Sequence, residues 1–418
     1  MNLCPSPLER GPEHSLCSVD ATEKLLDPDP EGPTIAFIFK TMSEPRVGEI
    51  SYLRVYSGHI ETGHELIDVQ TGQLEKLGQV YTMLGQKKIP AEKLLAGDIG
   101  MVVKLKDAHT NDTLADKGSN CRISPIVFPE PVFASAIIPV TQGDEEKISI
   151  GLHHLHEEDP SFAIDHDVEF NQTIIRTLGE THLEIVISRL QNKFNVQVET
   201  APIKIPYRET IRLAATAQGK YKKQSGGRGQ YGDVWLRVEP SAKDKGFEFS
   251  SEVVGGVVPT RYLPAVEKGI RESIANGVLA GFPVIDLKAV AYDGSYHPVD
   301  SSEFAFKIAA SMAFKSAVEK AKPLLLEPFY NLTVYAPEQY TGEIVGEISS
   351  RRGKILGMDT DARFQVIKAL IPQASLSSFH QSLTRLTQSR AKYSYSFSHY
   401  EEAPQDIMQQ VIAENKQH

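Results

Sequence analysis

The sequence predicts an α+β protein of several domains, and three observations lead to this prediction. Its 418 residues are 41% hydrophobic, which is enough for ordinary cores in roughly two to four domains. Short strands separated by Gly turns fill residues 31–126 at even spacing. The order βαββαβ occupies residues 127–205 and returns from residue 327, so two copies of one topology bracket a middle region.

The lead, residues 1–30, is rich in Pro, Gly, Ser and acidic residues, and its stretch LLDPDPEGP resists helix and sheet alike. We therefore expect a linker-like segment. Residues 31–126 follow with strands such as TIAFIFKT and GEISYLRVYSG. Regular short strands with tight turns are typical of a β-barrel, which we predict here.

Residues 127–205 predict a ferredoxin-like domain, with a helix stopped before Pro160 and a second helix carrying Leu183, Ile187 and Leu190. Residues 327–402 predict a second such domain, whose first helix has Gly353 at its C′ position. A C-terminal helix or tail occupies residues 403–418. We expect hinges near residues 127, 205 and 327, because separate domains usually meet through modest, polar surfaces.

The middle region, residues 206–326, opens with KKQSGGRGQYG, in which Gly227, Gly229 and Gly232 have the spacing G-x-G-x-x-G. A dinucleotide cradle needs a helix after the glycines, but DVWLRVEP alternates as a strand does. Six of the seven charges in residues 207–231 are positive, in a chain of net charge −10. The loop is thus either a solvated hairpin tip or a basic tip that binds nucleic acid.

The same region predicts a helix closed by Gly277 and another that Asp300 can cap, carrying Phe304, Ile308 and Met312 at four-residue spacing. The loop before it holds His297. Pro298 favours an extended backbone at His297 and so a fixed ring position. The ring either hydrogen-bonds local backbone, or stacks on a base or bonds a ribose 2′-OH.

Several kinds of chemistry find no support in the sequence. No P-loop, nucleophile elbow or H-E-x-x-H motif occurs, so we predict no catalytic residues and no cofactor in this chain. His153, His154 and His156 suggest a metal site, and His153 and His156 could share one helical face, but no third ligand is evident near these two, so we predict no metal site. Three cysteines without C-x-x-C spacing indicate free thiols and a cytoplasmic protein, with no secretory signal or membrane segment.

Many long segments, taken in order, resemble bacterial elongation factor G, a translational GTPase family. The most specific are FKTMSEPRVGEISYLRVYSG, FPEPVFASAIIP, YRETI, QSGGRGQYGDV, VVGGVVPTRYLPAVEKGIRE, YDGSYHPVDSSEFAFKIAASMAFK and GEISSRRGKILGM. The resemblance covers nearly the whole chain and implies domains II to V: a translation-factor β-barrel, a ferredoxin-like domain, a ribosomal-protein-S5-like α/β tip domain and a second ferredoxin-like domain.

The resemblance implies a ribosome-binding role in tRNA–mRNA translocation, with the tip domain at the decoding site. The implied partners are the ribosome (rRNA of both subunits and ribosomal proteins), tRNA and mRNA, without a membrane, for a monomer. The implied RNA-binding residues lie in two tip loops: Lys222, Lys223, Ser225, Gly226, Gly227, Arg228, Gly229, Gln230, Tyr231, Ser295, Tyr296, His297, Asp300 and Ser301.

The family's GTPase domain, which binds GTP and Mg²⁺ in the full-length protein, is not represented in this sequence, so we expect no enzyme activity unless such a domain is joined in cis. Smaller departures from the family pattern stand at Thr181, Trp235 and Pro298. Three alternatives remain: a ribosome-recycling paralogue, a ribosomal protection protein of the tetracycline-resistance type, and a truncated folded module without activity.

Overall fold

The structure is a computed structural model, and it describes residues 7–10, 13–15, 24–44, 48–85, 87–119, 121–224, 229–361 and 363–415. The chain divides into two compact units, Met1–Ile203 and Lys204–His418. No helix in these described ranges is long and apolar enough to cross a membrane.

The elements of the first unit, in chain order, are α1 (Pro7–Arg10), β1 (Glu13–Ser15), β2 (Lys24–Leu26), β3 (Ile35–Glu44), β4 (Gly48–Ser57), β5 (His59–Glu61), β6 (Glu65–Asp68), β7 (Leu74–Lys76), β8 (Val80–Leu84), β9 (Lys87–Pro90), β10 (Lys93–Leu95), β11 (Ile99–Val103), β12 (Thr113–Ala115), β13 (Phe133–Pro139), α2 (Glu145–Glu158), β14 (Ala163–Asp167), β15 (Gln172–Thr177), α3 (Glu180–Phe194) and β16 (Val198–Ala201).

An antiparallel sheet of eight strands, in the order β7-β6-β12-β3-β4-β11-β8-β9, forms the first part of this unit. Leu66 of β6 and Val80 of β8 lie towards opposite ends of that order, yet both are fully buried in one core. The sheet therefore curls around a shared interior, as the barrel prediction requires.

Two predictions for this part of the chain are wrong. In the lead, β1 pairs antiparallel with β2, so the segment is not free of regular structure. Cys121 is buried and disulfide-bonded, so the three cysteines are not all free thiols. An odd number of cysteines without C-x-x-C spacing still allows two of the three to form a disulfide, so neither property excludes one.

Residues 133–201 form the predicted βαββαβ unit, with an antiparallel sheet in the order β14-β15-β13-β16. Helices α2 and α3 cover one face, and Leu152, Leu155 and Leu190 form the core with β-strand residues. The buried stripe of α3 contains Leu183, Val186 and Leu190, while the predicted Ile187 is only partly buried.

Acidic residues at the end of α2 join this unit to the barrel. Glu157 lies 2.7 Å from His109 Nδ1, and Glu158 accepts the backbone N–H of Ser43 at 2.8 Å. Lys193 of α3 donates to Glu158 Oε2 at 2.7 Å, so that carboxylate is held from both sides. His154 faces Glu49 at 3.3 Å.

The elements of the second unit are β17 (Arg208–Ile211), β18 (Ala215–Lys223), β19 (Gln230–Pro240), β20 (Phe247–Ser251), α4 (Leu263–Asn276), β21 (Leu287–Ser295), α5 (Glu303–Lys320), β22 (Pro323–Ala336), α6 (Thr341–Ser350), β23 (Lys354–Asp361), β24 (Phe364–Pro372), α7 (Phe379–Thr387), β25 (Lys392–Glu402) and α8 (Gln405–Asn415), with three single 3₁₀ turns between them.

The second βαββαβ unit has the sheet order β23-β24-β22-β25, the same order as the first. Its long strand β22 runs without interruption from Pro323 to Ala336, and its first residues pair with β17. This continuous strand pairing argues against the predicted hinge near residue 327. Glu327 itself is 1% exposed and forms a two-pronged ion pair with Arg352.

The end of α6 also differs from the prediction. Arg352, not Gly353, has the left-handed conformation, with φ of 61°. The N–H of Gly353 donates to Ile348 O at 2.9 Å, which is the closing bond of a Schellman motif. Gly353 is needed there for space, because a Cβ would lie 2.4 Å from Ile348 Cγ2.

The middle region folds as a sheet in the order β18-β19-β21-β20, in which only β20 and β21 are parallel, packed against α4 and α5. Helix α5 buries a stripe of small residues and phenylalanines, including Ala309, Ala313 and Phe314. Phe304 and Met312, from the predicted apolar stripe, are 56% and 46% exposed. Gly219 of β18 allows the close contact, since a Cβ there would lie 1.9 Å from Ala309 O.

Candidate nucleic-acid interface

Two loops meet at one end of this sheet. The first tip loop, residues 224–229, joins β18 to β19, and the second tip loop, residues 296–302, joins β21 to α5. The predicted contacts Ser225, Gly226, Gly227 and Arg228 lie outside the described residues. The remaining predicted residues are all described and lie in or beside these two loops.

Asp300 links the two loops. Its Oδ1 accepts the N–H of Gly229 at 3.0 Å, and its backbone carbonyl accepts the N–H of Tyr231 at 2.8 Å. The prediction that Asp300 caps α5 is wrong: Ser302 is the N-cap, and its hydroxyl accepts the N–H of Ala305 at 3.2 Å. The cap preference of Asp is local, whereas its partner here lies 71 residues away.

Ser301 adds a second link. Its side chain is buried, and its hydroxyl donates to Tyr231 O at 3.0 Å while accepting the N–H of His297 at 2.9 Å. An isolated parallel β-bridge between Tyr231 and Ser301 also connects the two segments. The side chains of Asp300 and Ser301 are therefore committed to holding the two loops together.

His297 is oriented by its own loop. Its Nδ1 accepts the N–H groups of Val299 at 3.3 Å and Asp300 at 3.1 Å, which places the proton of a neutral ring on Nε2. The side chain is 51% exposed, and its ring centroid lies 6.4 Å from that of Tyr231. The ring thus bonds its own loop through Nδ1, which also lies 3.5 Å from Asp300 Oδ2.

Tyr231 begins a polar chain that runs down into the sheet. Its hydroxyl lies 2.6 Å from Ser295 Oγ, and Ser295 donates to Asp233 Oδ2 at 2.7 Å. Gln218 Nε2 donates to Asp233 Oδ1 at 2.8 Å. Because a carboxylate only accepts, Ser295 gives its proton to Asp233 and must accept from Tyr231. Sequence reasoning missed Asp233, although Asp is uncommon inside a strand.

Positive charge at this end comes from Lys220, Lys222 and Lys223, all exposed in β18. Lys220 Nζ lies 5.7 Å from the centre of the Tyr231 ring. Gln230 is partly exposed and Tyr296 is 44% exposed. Arg208 lies in β17, which belongs to the other sheet of this unit, and Arg212 follows that strand, so the six positive charges of residues 207–231 are not all in the tip sheet.

The glycine spacing does not build a nucleotide cradle. Gly232 lies inside β19, and a Cβ there would meet Ala305 O at 2.5 Å, so the absence of a side chain allows β19 to pack against α5.

The histidines considered as metal ligands are in the first unit, where His156 Nδ1 bonds Phe162 O at 2.8 Å. Within the described part of the chain, no three His, Cys, Asp or Glu side chains are grouped to hold a metal ion.

Comparison with known proteins gives four family matches in chain order. They are elongation factor G domain 2 at residues 33–117, domain III at 128–202, domain IV at 203–322 and the elongation factor G C-terminus at 324–411. The tip loops fall in the domain IV match. A crystal structure of a protein from Thermus thermophilus is 38% identical with a TM-score of 0.78, and the match covers 93% of this chain and 58% of that one.

Proposed function

This chain belongs to the elongation factor G family, and from that premise we propose that it acts in tRNA–mRNA translocation, inserting its tip loops at the decoding site of the ribosome. The family assignment makes it an elongation factor G-like translation factor. The finer role is supported by the tip, where basic, aromatic and imidazole side chains are exposed together.

The observation that carries the proposal is the link between the loops through Asp300. It makes one surface of two segments, so that groups from both can contact one RNA at a fixed spacing. Lys222 and Lys223, together with Arg228, meet phosphates, while Tyr296 and His297 contact base or ribose. Asp300 and Ser301 act as positioning residues, because a carboxylate repels phosphate and the hydroxyl is buried.

The proposed partners are the ribosome, tRNA and mRNA in the cytoplasm. GTP hydrolysis, with its Mg²⁺, belongs to a GTPase domain joined in cis. The sequence offers no P-loop, so this chain contributes binding and placement rather than chemistry.

The test compares three variants for ribosome affinity as a function of salt. Lys222→Ala removes a phosphate contact, so we expect weaker binding and a salt slope reduced by about 0.7–0.9. Lys243→Ala is the matched control, because this exposed lysine lies beyond the opposite end of β19. His297→Ala should leave the slope unchanged but slow single-turnover translocation when the chain is joined to a GTPase domain.

Equal salt slopes for Lys222→Ala and the control Lys243→Ala would show that the basic loop is only a solvated hairpin tip. A normal translocation rate for His297→Ala would show that the ring only hydrogen-bonds its own loop. Ribosome splitting without translocation would favour the recycling alternative, and release of tetracycline from the ribosome would favour the protection alternative. Failure to bind ribosomes at all would leave a folded module without activity.

A further inference from the structure

One face of the tip-domain sheet carries an aromatic and basic surface that the tip loops do not include. Along β19, Val234, Leu236 and Val238 are fully buried against the helices. Trp235 alternates with them, so it lies on the opposite face, where it is partly exposed. We define the open face by six residues of three strands: Gln218, Lys220, Lys222, Tyr231, Trp235 and Tyr292.

A β-bulge places the second aromatic ring beside Trp235. The pairing of β19 with β21 shifts between Trp235 and Leu236, so that Tyr292 is the extra residue on β21. The ring centroids of Trp235 and Tyr292 lie 6.3 Å apart at an interplanar angle of 52°. Bulges of this kind re-aim side chains, and here the result is a pair of rings on an exposed sheet face.

The charges of the open face select an anionic occupant. Lys222 is opposite Tyr231, Lys220 is opposite Asp233, and both lysines are exposed. The carboxylate of Asp233 is 5% exposed and both its oxygens already accept hydrogen bonds. Asp293, which is opposite Trp235, is an exposed acid among the described residues at these paired positions, and its Oδ1 accepts the N–H of Gly294 at 2.7 Å.

We propose that the open face binds single-stranded RNA, with bases stacked on Trp235 and Tyr292 and phosphates at Lys220 and Lys222. Proteins bind single-stranded nucleic acids through aromatic rings and lysines that alternate on an open sheet, because every base can stack on a ring and every phosphate can pair with a lysine. Tyr231 and Trp235 are four residues apart on one strand, about 13 Å. The open face is therefore continuous with the tip loops. This inference rests on the proposed function, whose RNA contact it extends down the sheet.

Trp235 provides the measurement, since it is the single tryptophan of the chain. The full chain is titrated with single-stranded oligoadenylate of about ten nucleotides, and the indole emission is followed. We expect saturable quenching that weakens with salt, and little quenching by a duplex RNA of equal length. Lys220→Ala should weaken the binding and reduce its salt slope.

Two variants separate stacking from general attraction. Tyr292→Leu keeps the fluorophore and should weaken binding about tenfold, as loss of one stacked base partner does. Trp235→Leu, followed with a labelled oligonucleotide, should show a similar loss. The control is Tyr335→Leu, an exposed aromatic of β22 in the other sheet.

Absent quenching, equal quenching by duplex, or unchanged affinity in both aromatic variants would overturn the proposal. These outcomes are distinct from failure of the proposed function. The tip-loop variants are measured on ribosomes, and ribosome binding that depends on Lys222 while oligoadenylate leaves Trp235 unquenched would remove only the open-face site.

Discussion

Asp233 is the residue whose role is least visible in the sequence and most specific in the structure. In the described part of the chain, no Lys or Arg nitrogen pairs with its buried carboxylate, which instead accepts from Gln218 and Ser295. Such a carboxylate is costly to bury unless its hydrogen bonds are complete. Here they orient Ser295 and, through it, the Tyr231 hydroxyl at the base of both tip loops.

We predict that Asp233→Asn weakens this chain of hydrogen bonds without unfolding the domain. A bond to a charged group contributes roughly 1.5–3 kcal/mol and a neutral one roughly 0.5–1.5, so local protection should fall by about 1 kcal/mol. Native-state hydrogen exchange at residues 295–302 measures this, with the melting temperature almost unchanged. A double-mutant cycle with Tyr231→Phe should show coupling above about 0.5 kcal/mol, and strict additivity would contradict the relay.

The tip residues show what sequence can and cannot supply at this scale. Exposed groups such as Lys222 and His297 are identifiable because loops with charge and fixed backbone are recognisable locally. The inward roles of Asp300 and Ser301 are not, because they depend on Gly229 and Tyr231, 70 or more residues away. Local propensity favours a cap for Asp300, and the tertiary partner overrides it.

At the scale of elements, the periodicity of strands and helices predicted both βαββαβ units, but it selected the wrong face of α5. The apolar residues of that helix are distributed around its axis rather than confined to one side, so four-residue spacing does not identify the face that packs in the core. The buried side is set by size: Ala309 and Ala313 approach β18 at Gly219. The fit between the alanines of α5 and a glycine of β18, about 90 residues earlier in the chain, produces no periodic pattern in the sequence.

This contact gives a prediction for Gly219→Ala. The added Cβ would lie 1.9 Å from Ala309 O and 2.5 Å from Ala313 N, so helix and strand must separate. Overpacking of this kind costs about 1–3 kcal/mol in the free energy of unfolding, measured by denaturant titration. Gly357→Ala is the control, since a Cβ added at this position in β23 would have no atom within 4 Å. Equal stability of the two variants would contradict the packing argument.

The joint between α2 and the barrel should respond to pH. The hydrogen bond with Glu157 raises the pKa of His109 to about 9, with smaller contributions from the charges of Glu157, Asp112 and Glu49, against an opposing effect of burial. The same hydrogen bond lowers the pKa of Glu157. A raised histidine pKa means that its stabilisation is complete below the unfolded value of 6.5 and is lost as the pH rises through about 9.

We therefore predict that the barrel and its neighbour lose the stabilisation of this pair as the pH rises from about 6.5 through about 9, and lose it also as the pH falls below the unfolded Glu157 pKa of 4.5 and that carboxylate is protonated. His109→Gln should flatten this part of the stability profile, measured by thermal unfolding across that range. His166→Gln, an exposed histidine of β14, is the control and should leave the profile unchanged. A profile equally steep in His109→Gln would exclude the pair as its source.

At the scale of the molecule, the second unit is more continuous than its two sheets suggest. Strand β22 pairs with β17 through its first four residues and with β24 and β25 through the rest. Glu209 of β17 is fully buried and accepts four backbone N–H groups of residues 278–282. Asn415, at the end of α8, donates to Ala280 O at 2.9 Å, which adds the C-terminal helix to the same region. The prolines near residue 327 suggested a hinge there. The pairing of β22 with β17 and β25 depends on segments far away in the sequence, so the residues around position 327 do not reveal it.

The unit should consequently transmit force between the tip and the C-terminal sheet without bending at residue 327. We predict that backbone amides on both sides of Glu327 in β22 share one protection class in native-state hydrogen exchange, because one strand with continuous pairing opens as a whole. Two glycines inserted after Leu326 should break the register of β17 with β22, separate Glu327 from Arg352 and lower the unfolding midpoint of both sheets. The same insertion after Lys243, in the exposed turn between β19 and β20, should be tolerated because it interrupts no pairing. Two independent exchange classes on either side of Glu327, together with an insertion there as harmless as the control, would restore the hinge and make the tip a separately moving domain.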